Sequence, residues 1–336
     1  MVPFAYSRAA DLQTAVATGA RHRSDEANTL GGDFFAGGTD MMQLMREGVR
    51  NPGQIIDICS LPHLSHIESN ANGLHLGALA RMSDAAAHPD VRAHYPVIAE
   101  ALLASASPQV RNLATLGGNL LQRTRCGYFR DVVMPCNKRE PGSGCPALNG
   151  QNRLHAILGT SEHCIATYAG DFANALLVLD AQVHVSGPHG ARVAPLAELH
   201  RLPGNTPHIE TQLEPGELIT LIDVPASTAA SRSHYLKVRD RATFEWSIAS
   251  AAVALELDSS GIVRDVRIAV GGVATTPWRL PGAEAVLKHK KLDLAICEHA
   301  GSVSADGAVT RRQNTYKKHL IQRTVTRALA ETGGLA

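Results

Sequence analysis

The stretch from Gln122 to Tyr168 restricts this chain more than any other. It holds few apolar runs, many Gly, Pro and Arg residues, and four of the six cysteines. An excursion this long inside a compact domain needs a functional or stapling reason. The four thiols are Cys126, Cys136, Cys145 and Cys164, spaced C-x9-C-x8-C-x18-C. The opening Met1–Arg8 run lacks the basic-then-apolar order of a secretory signal. The chain is therefore expected to fold in the cytoplasm, or to leave it as the passenger of a partner. In that setting crowded thiols point to metal or cluster ligation before disulfides. The spacing matches neither the paired C-x2-C of zinc ribbons nor the short runs of ferredoxins. It leaves a cluster, a zinc site and unrelated thiols all open. Arg123, Arg125, Arg130, Lys138 and Arg139 surround the first two cysteines. Such cations favour the metal-binding thiolate; they would equally suit a docking face for a partner subunit.

Outside this stretch the chain reads as ordinary mixed structure. With 336 residues, 44% of them apolar, it can build two or three domains with real cores. Lys plus Arg is 32 against 31 for Asp plus Glu, so nothing electrostatic points to nucleic acid or an anionic membrane. No apolar run approaches the roughly 20 residues of a membrane helix. Helices are expected over 11–19, 41–47, 96–105, 173–179, 282–288 and 316–331, and strands over 34–36, 54–58, 74–79, 182–186, 217–224 and 235–239. In the helix at 96–105, Val97, Ile98, Ala101 and Leu102 share one face. Residues 248–257 and 262–270 form a hairpin pair around Asp258-Ser-Ser-Gly261. The polar connector 227–233 is the candidate domain boundary.

Two glycine-rich turns stand out. Ala36-Gly37-Gly38-Thr39-Asp40 lies between an apolar strand and a helix capped by Thr39 or Asp40. Paired glycines let backbone N–H groups approach a ligand, and a helix N-terminus favours an anion, so diphosphate is the expected occupant. An ordinary strand–helix turn would look the same. A second turn, Ala114-Thr-Leu-Gly-Gly-Asn-Leu120, could add further N–H donors and the Thr115 hydroxyl. No G-x-G-x-x-G fingerprint or P-loop occurs, so a dinucleotide site here is not of Rossmann type.

These turns and a third motif carry a resemblance. The Ala36–Asp40 turn, the run Gln109-Val-Arg-Asn-Leu-Ala-Thr-Leu-Gly-Gly-Asn119 and Gly271-Gly-Val-Ala-Thr-Thr-Pro-Trp-Arg279 occur in order. They resemble the flavoprotein subunits of the xanthine dehydrogenase and carbon monoxide dehydrogenase family, over roughly residues 3–330. The resemblance implies an α+β chain. A vanillyl-alcohol-oxidase (PCMH)-type FAD-binding fold of two subdomains, 1–60 and 61–226, would be followed by a C-terminal flavoprotein domain, 232–332, of antiparallel sheet and helices. By this similarity Phe34, Phe35, Ala36, Gly37, Gly38, Thr39 and Asp40 wrap the FAD diphosphate. Ala106, Thr115, Gly118 and Asn119 lie along the rest of the cofactor. Asp171, in Tyr168-Ala-Gly-Asp-Phe-Ala173, contacts the adenosine side or caps the following helix, Ile219 packs on a ring, and Lys237 stands near the flavin unless it is a solvated strand residue.

The insert sharpens the likeness. Gln122-Arg-Thr-Arg-Cys-Gly-Tyr-Phe-Arg130, Pro135-Cys-Asn-Lys138, Gly142-Ser-Gly-Cys145 and His155-Ala-Ile-Leu-Gly-Thr-Ser161 look like the FAD subunit of the three-subunit periplasmic aldehyde oxidoreductase group, and a related insert occurs in 4-hydroxybenzoyl-CoA reductase. In both it holds a [4Fe–4S] cluster, which makes Cys126, Cys136, Cys145 and Cys164 the implied ligands. Cys59 and Cys297 fall outside it and are expected to be buried thiols. The resemblance also implies a large partner with molybdenum cofactor and a small partner with two [2Fe–2S] clusters. Electrons would reach FAD from the small partner and pass to an external acceptor, with no catalytic residue in this chain. The complex would lie in the periplasm by co-export, or in the cytoplasm. The rival readings are a CoA-thioester reductase subunit and a non-redox, nucleotide-binding module with a zinc loop.

Overall fold

The computed structural model describes residues 1–21 and 32–335. Their strands form three sheets. The first comprises β1 (Ala5–Arg8), β2 (Gly32–Phe35) and β3 (Gln54–Asp57), all parallel in the order β1-β3-β2. Ile55 and Ile56 make β3 its buried centre, and the helix Leu12–Arg21 covers it through Ala15. The second sheet comprises β4 (Ile67–Asn70), β5 (Gly73–Gly77), β6 (Gln182–Gly187), β7 (Gly190–Pro195) and β8 (Leu218–Pro225), antiparallel in the order β4-β5-β8-β6-β7. The third comprises β9 (Ser233–Val238), β10 (Ala249–Leu257), β11 (Val263–Gly271) and β12 (Trp278–Arg279), antiparallel in the order β12-β11-β10-β9.

The helix Pro96–Ala104 starts on a proline, whose missing N–H costs nothing there. Val97, Ile98, Ala101 and Leu102 are fully buried, the face read from the sequence. The helix Phe172–Leu177 is buried all round, packed against β10, β11 and β12 of the third sheet and against the helix Pro96–Ala104. That explains why β10 is alanine-rich. Ala252 and Ala254 face the core containing these two helices, while Ala249, Ala251, Val253 and Leu255 face the C-terminal helices Pro281–Leu287, Leu294–Val303 and Tyr316–Gly333. A strand covered on both faces has room only for small side chains where a helix approaches closely.

The hairpin β10–β11 turns where expected: Asp258 accepts N–H bonds from Ser260 (2.9 Å) and Ile262 (3.0 Å), and Gly261 has φ +80°. Several elements escape the sequence pattern. β7 is an almost wholly exposed edge strand that begins with Gly and ends with Pro, so it lacks an alternating face. The helix Leu294–Val303 lies in an Ala- and Ser-rich segment; Asp293 caps it (Ile296 N to Oδ1, 2.8 Å) and Cys297 and Ala300 bury it. Among the described residues no helix is long and apolar enough to cross a membrane.

Candidate functional site

A cleft of about 730 Å³ opens where the first two sheets meet. Phe34, Ala36, Gly37, Gly38, Thr39, Asp40, Ala106, Thr115, Gly118, Asn119, Asp171 and Ile219 all line it, so sites more than 180 residues apart converge. Phe35 and Lys237 do not reach its wall. Among the described residues the N–H groups of Gly37, Gly38, Thr39 and Asp40 have no hydrogen-bond partner, which is the condition an anion cradle requires. The glycines act differently from expectation. A Cβ on Gly37 would fall on the carbonyl oxygen of Leu113, and one on Gly38 on the ring of Phe35. The missing side chain of Gly37 lets the two turns pack together, while Gly38 makes room for the Phe35 ring and holds φ +67°. Asp40 is the N-cap residue but makes no capping bond; its carboxylate accepts from Arg123 N (2.8 Å) and Arg130 Nη2 (2.8 Å) and pairs with Arg125 (2.9 Å).

The second turn corrects the expectation of further N–H donors. Leu116 N and Gly117 N donate to the carbonyls of Ala80 (2.9 Å) and Ala78 (2.8 Å), while Gly118 N and Asn119 N donate to Thr115 Oγ1 (3.3 Å) and Thr115 O (2.9 Å). Its backbone is spent on anchoring the turn to the second sheet. What it offers the cleft instead is Asn119 Oδ1, buried and without a partner. Ala106 holds φ +48°, fixed by Arg111, which donates to the carbonyls of Ser105 (2.8 Å) and Ala106 (3.2 Å). Such strain costs on the order of 1–3 kcal/mol and gathers at ligand clamps.

Asp171 is buried, and both its oxygens are engaged. Tyr235 OH donates to Oδ1 (2.6 Å); Lys237 Nζ (2.7 Å) and Ser105 Oγ (2.9 Å) donate to Oδ2. It makes no cap bond to the helix Phe172–Leu177. Lys237 is not a solvated strand residue: its side chain is 4% exposed, and it also donates to Ala104 O (3.0 Å). Burial and the Asp171 charge push the Tyr235 hydroxyl well above its ordinary pKa, keeping it a donor. Ser105, Tyr235 and the group around Glu210 were not legible in the sequence. Glu210 lies in the cleft wall with Arg123 and Lys138 (2.7 Å), which hold its carboxyl below the usual range against the opposing effect of burial. These partners are far apart in the chain and share no motif.

Cys126, Cys136, Cys145 and Cys164 are free thiols that line one second cavity together with His155 and His163. Lys138, Cys164 and Ala166 form a wall common to both cavities. The N–H groups of Phe129 and Leu148 donate to the carbonyls of Cys126 (3.1 Å) and Cys145 (3.2 Å), and that of Ala166 donates to Cys164 Sγ (3.5 Å). A donor of the last kind is what a cluster's sulfurs use. No three His, Cys, Asp or Glu side chains among the described residues gather as a single-ion site.

The basic residues of the insert act otherwise than either reading of them supposed. Lys138 and Arg139 are buried, and Arg139 donates to the carbonyls of Tyr128 (3.0 Å), Phe129 (2.8 Å) and Met134. They satisfy the loop's own backbone and carboxylates rather than forming an outward face. Lys138 does draw the Cys164 thiol down, but burial outweighs it. Burial pushes Cys126 up to about 12 and Cys164 up to about 11, the latter against Lys138, and raises Cys145. Cys297 is buried as expected. Cys59 is not: it lies exposed in the turn after β3, with its N–H on Asp57 Oδ1 (2.9 Å) and its sulfur 3.2 Å from Ala36 O.

This architecture defines a flavoprotein subunit of the two-part kind. Residues 2–227 match the FAD binding domain in molybdopterin dehydrogenase, and residues 234–332 match the CO dehydrogenase flavoprotein C-terminal domain. The chain belongs to the FAD-binding subunits of the xanthine dehydrogenase and CO dehydrogenase family. It is 46% identical to the aldehyde oxidoreductase FAD-binding subunit PaoB of Escherichia coli, covering 90% of this chain and 91% of that one. It is 28% identical to the carbon monoxide dehydrogenase medium chain of Hydrogenophaga pseudoflava, covering 89% of each. The solved structure of carbon monoxide dehydrogenase from that organism superposes with TM-score 0.75 at 26% identity, covering 100% of both chains. Quinoline 2-oxidoreductase from Pseudomonas putida 86 has the same fold, with TM-score 0.75 at 19% identity over 99% of this chain and 98% of that one.

Proposed function

We propose that this chain is the FAD- and [4Fe–4S]-carrying electron-transfer subunit of a molybdenum-dependent aldehyde oxidoreductase. It would work beside a large molybdenum-cofactor subunit and a small subunit with two [2Fe–2S] clusters, in the periplasm as a passenger of an exported partner. Bound FAD supplies the two-electron chemistry that joins one-electron clusters to an external acceptor. The chain's own part is to hold and insulate. The free N–H groups of Gly37–Asp40 receive the diphosphate, Asn119 and Ala106 border the remainder, and Asp171 with Lys237 locks β9 against the cleft. In this reading hydroxylation belongs to the molybdenum partner.

The observation that carries the cluster is the convergence of four free thiols, spread over positions 126 to 164, on one cavity, with the Ala166 N–H donating to the Cys164 sulfur. The aldehyde substrate draws support from the relative at 46% identity.

The complex, purified without air, should show flavin bands with a broad shoulder from iron–sulfur charge transfer. It should contain, per copy of this chain, iron and sulfide beyond that of the partner's clusters. It should oxidise an aldehyde to the acid with an artificial acceptor, whereas this chain alone should not. Zinc in place of that extra iron would overturn the cluster, and a complex that turns over purines but no aldehyde would overturn the substrate.

A further inference from the structure

Among the described residues, His155 is the one polar side chain within hydrogen-bonding distance of a sulfur of the four cysteines. Its Nε2 lies 3.2 Å from Cys126 Sγ, while its Nδ1 is buried with no partner. The proton's place follows from sterics and charge. A bare Nε2 would set its lone pair against the sulfur's at contact distance, and would leave a buried N–H stranded at Nδ1. An unpaired buried donor is the costlier arrangement. A cluster-bound Cys126 has no S–H to donate, so in that state the proton of this contact sits on Nε2, pointing at sulfur.

The imidazole is also held from behind. Three consecutive carbonyls of its segment accept hydrogen bonds from the C-terminal region. Lys317 Nζ donates to Leu154 O (2.9 Å), and Asn314 Nδ2 donates to His155 O (3.5 Å) and Ala156 O (3.1 Å). Lys317 and Asn314 are themselves fully buried. A ring that merely filled space would not need its backbone clamped at three points. We propose that His155 is a positioning residue that donates an Nε2–H hydrogen bond to the Cys126 sulfur and so raises the reduction potential of the cluster; this rests on the [4Fe–4S] reading above. A hydrogen bond to a ligand sulfur withdraws electron density from it and favours the reduced core, and such bonds are among the determinants of cluster potential.

The test uses the assembled complex in three forms: unaltered, His155→Leu and His155→Gln. Iron and FAD are counted, and the [4Fe–4S] signal is followed by EPR through a redox titration. His155→Leu should keep its iron and FAD while its midpoint potential falls. His155→Gln, which restores an N–H, should bring the potential back towards that of the unaltered protein. An unchanged potential in His155→Leu overturns the proposal. Loss of the extra iron in either variant also overturns it, because His155 would then be a ligand or a structural prop. Absence of any four-iron signal in the unaltered complex would instead remove the cluster itself, a failure separable from that of His155.

Discussion

A Cβ at Gly37 would strike the Leu113 carbonyl, so the first glycine turn is as much a packing device as a ligand device. Gly37→Ala should push the two turns apart, costing about 1–3 kcal/mol as an overpacked contact and lowering the FAD bound per chain. Full flavin content with an unshifted Tm would show that the close approach is dispensable. The motif was visible from its letters because glycine pairs are rare punctuation, but their reason was not, since Leu113 is 76 residues away. The cysteines were legible for a different cause: crowding of a scarce residue is a local property. Cys145→Ser should lose the extra iron and keep most of the FAD, as Cys145 does not line the flavin cleft. Iron retained at the unaltered level would take Cys145 out of the ligand set.

At the scale of elements, β9 is tied to two helices by one imidazole. His234 Nδ1 lies 2.8 Å from Glu100 on the helix Pro96–Ala104, and Nε2 lies 2.9 Å from Glu331 on Tyr316–Gly333. The Glu100 hydrogen bond, opposed by burial and aided by Glu331, raises the histidine above its ordinary value. A raised base binds its proton more tightly when folded. Its stabilisation is thus full below the unfolded value of about 6.5 and is lost as pH rises through the folded one. His234→Gln should lower Tm clearly at pH 5.5 and much less at pH 9; an equal drop at both would dissociate the bridge from the charge. Periodicity found β9, β10 and the two helices. It missed β7, which has no buried face, and the helix Leu294–Val303, whose apolar stripe exists only against Ile321 and Val325 of its neighbour.

Across the whole molecule, the C-terminal region closes on the cysteine insert. Asn152 Oδ1 accepts from Gln313 N (3.0 Å) while Gln313 Oε1 accepts from Asn152 N (3.0 Å), and Asn152 Nδ2 donates to Ala147 O (3.0 Å). Asn152→Ala would strand the buried carbonyl of Ala147, at about 1–3 kcal/mol, and remove the partner of the part-buried Gln313 N–H. It should lower Tm and make the extra iron easier to remove with a chelator. Unaltered resistance to the chelator would mean the insert holds its shape without this clasp.

Local chemistry decided in advance the strongly patterned helices and strands, where the glycine turns fall and which thiols are crowded, because each depends on residues within a few positions of one another. Which side of a glycine is occupied, which carboxylate neutralises Arg123, and that Asp171 rather than solvent receives Lys237 depend on pairs tens to more than a hundred residues apart. Those pairings exist only once three sheets are stacked, since close packing, not sequence spacing, brings buried charges and orphan N–H groups to one cleft.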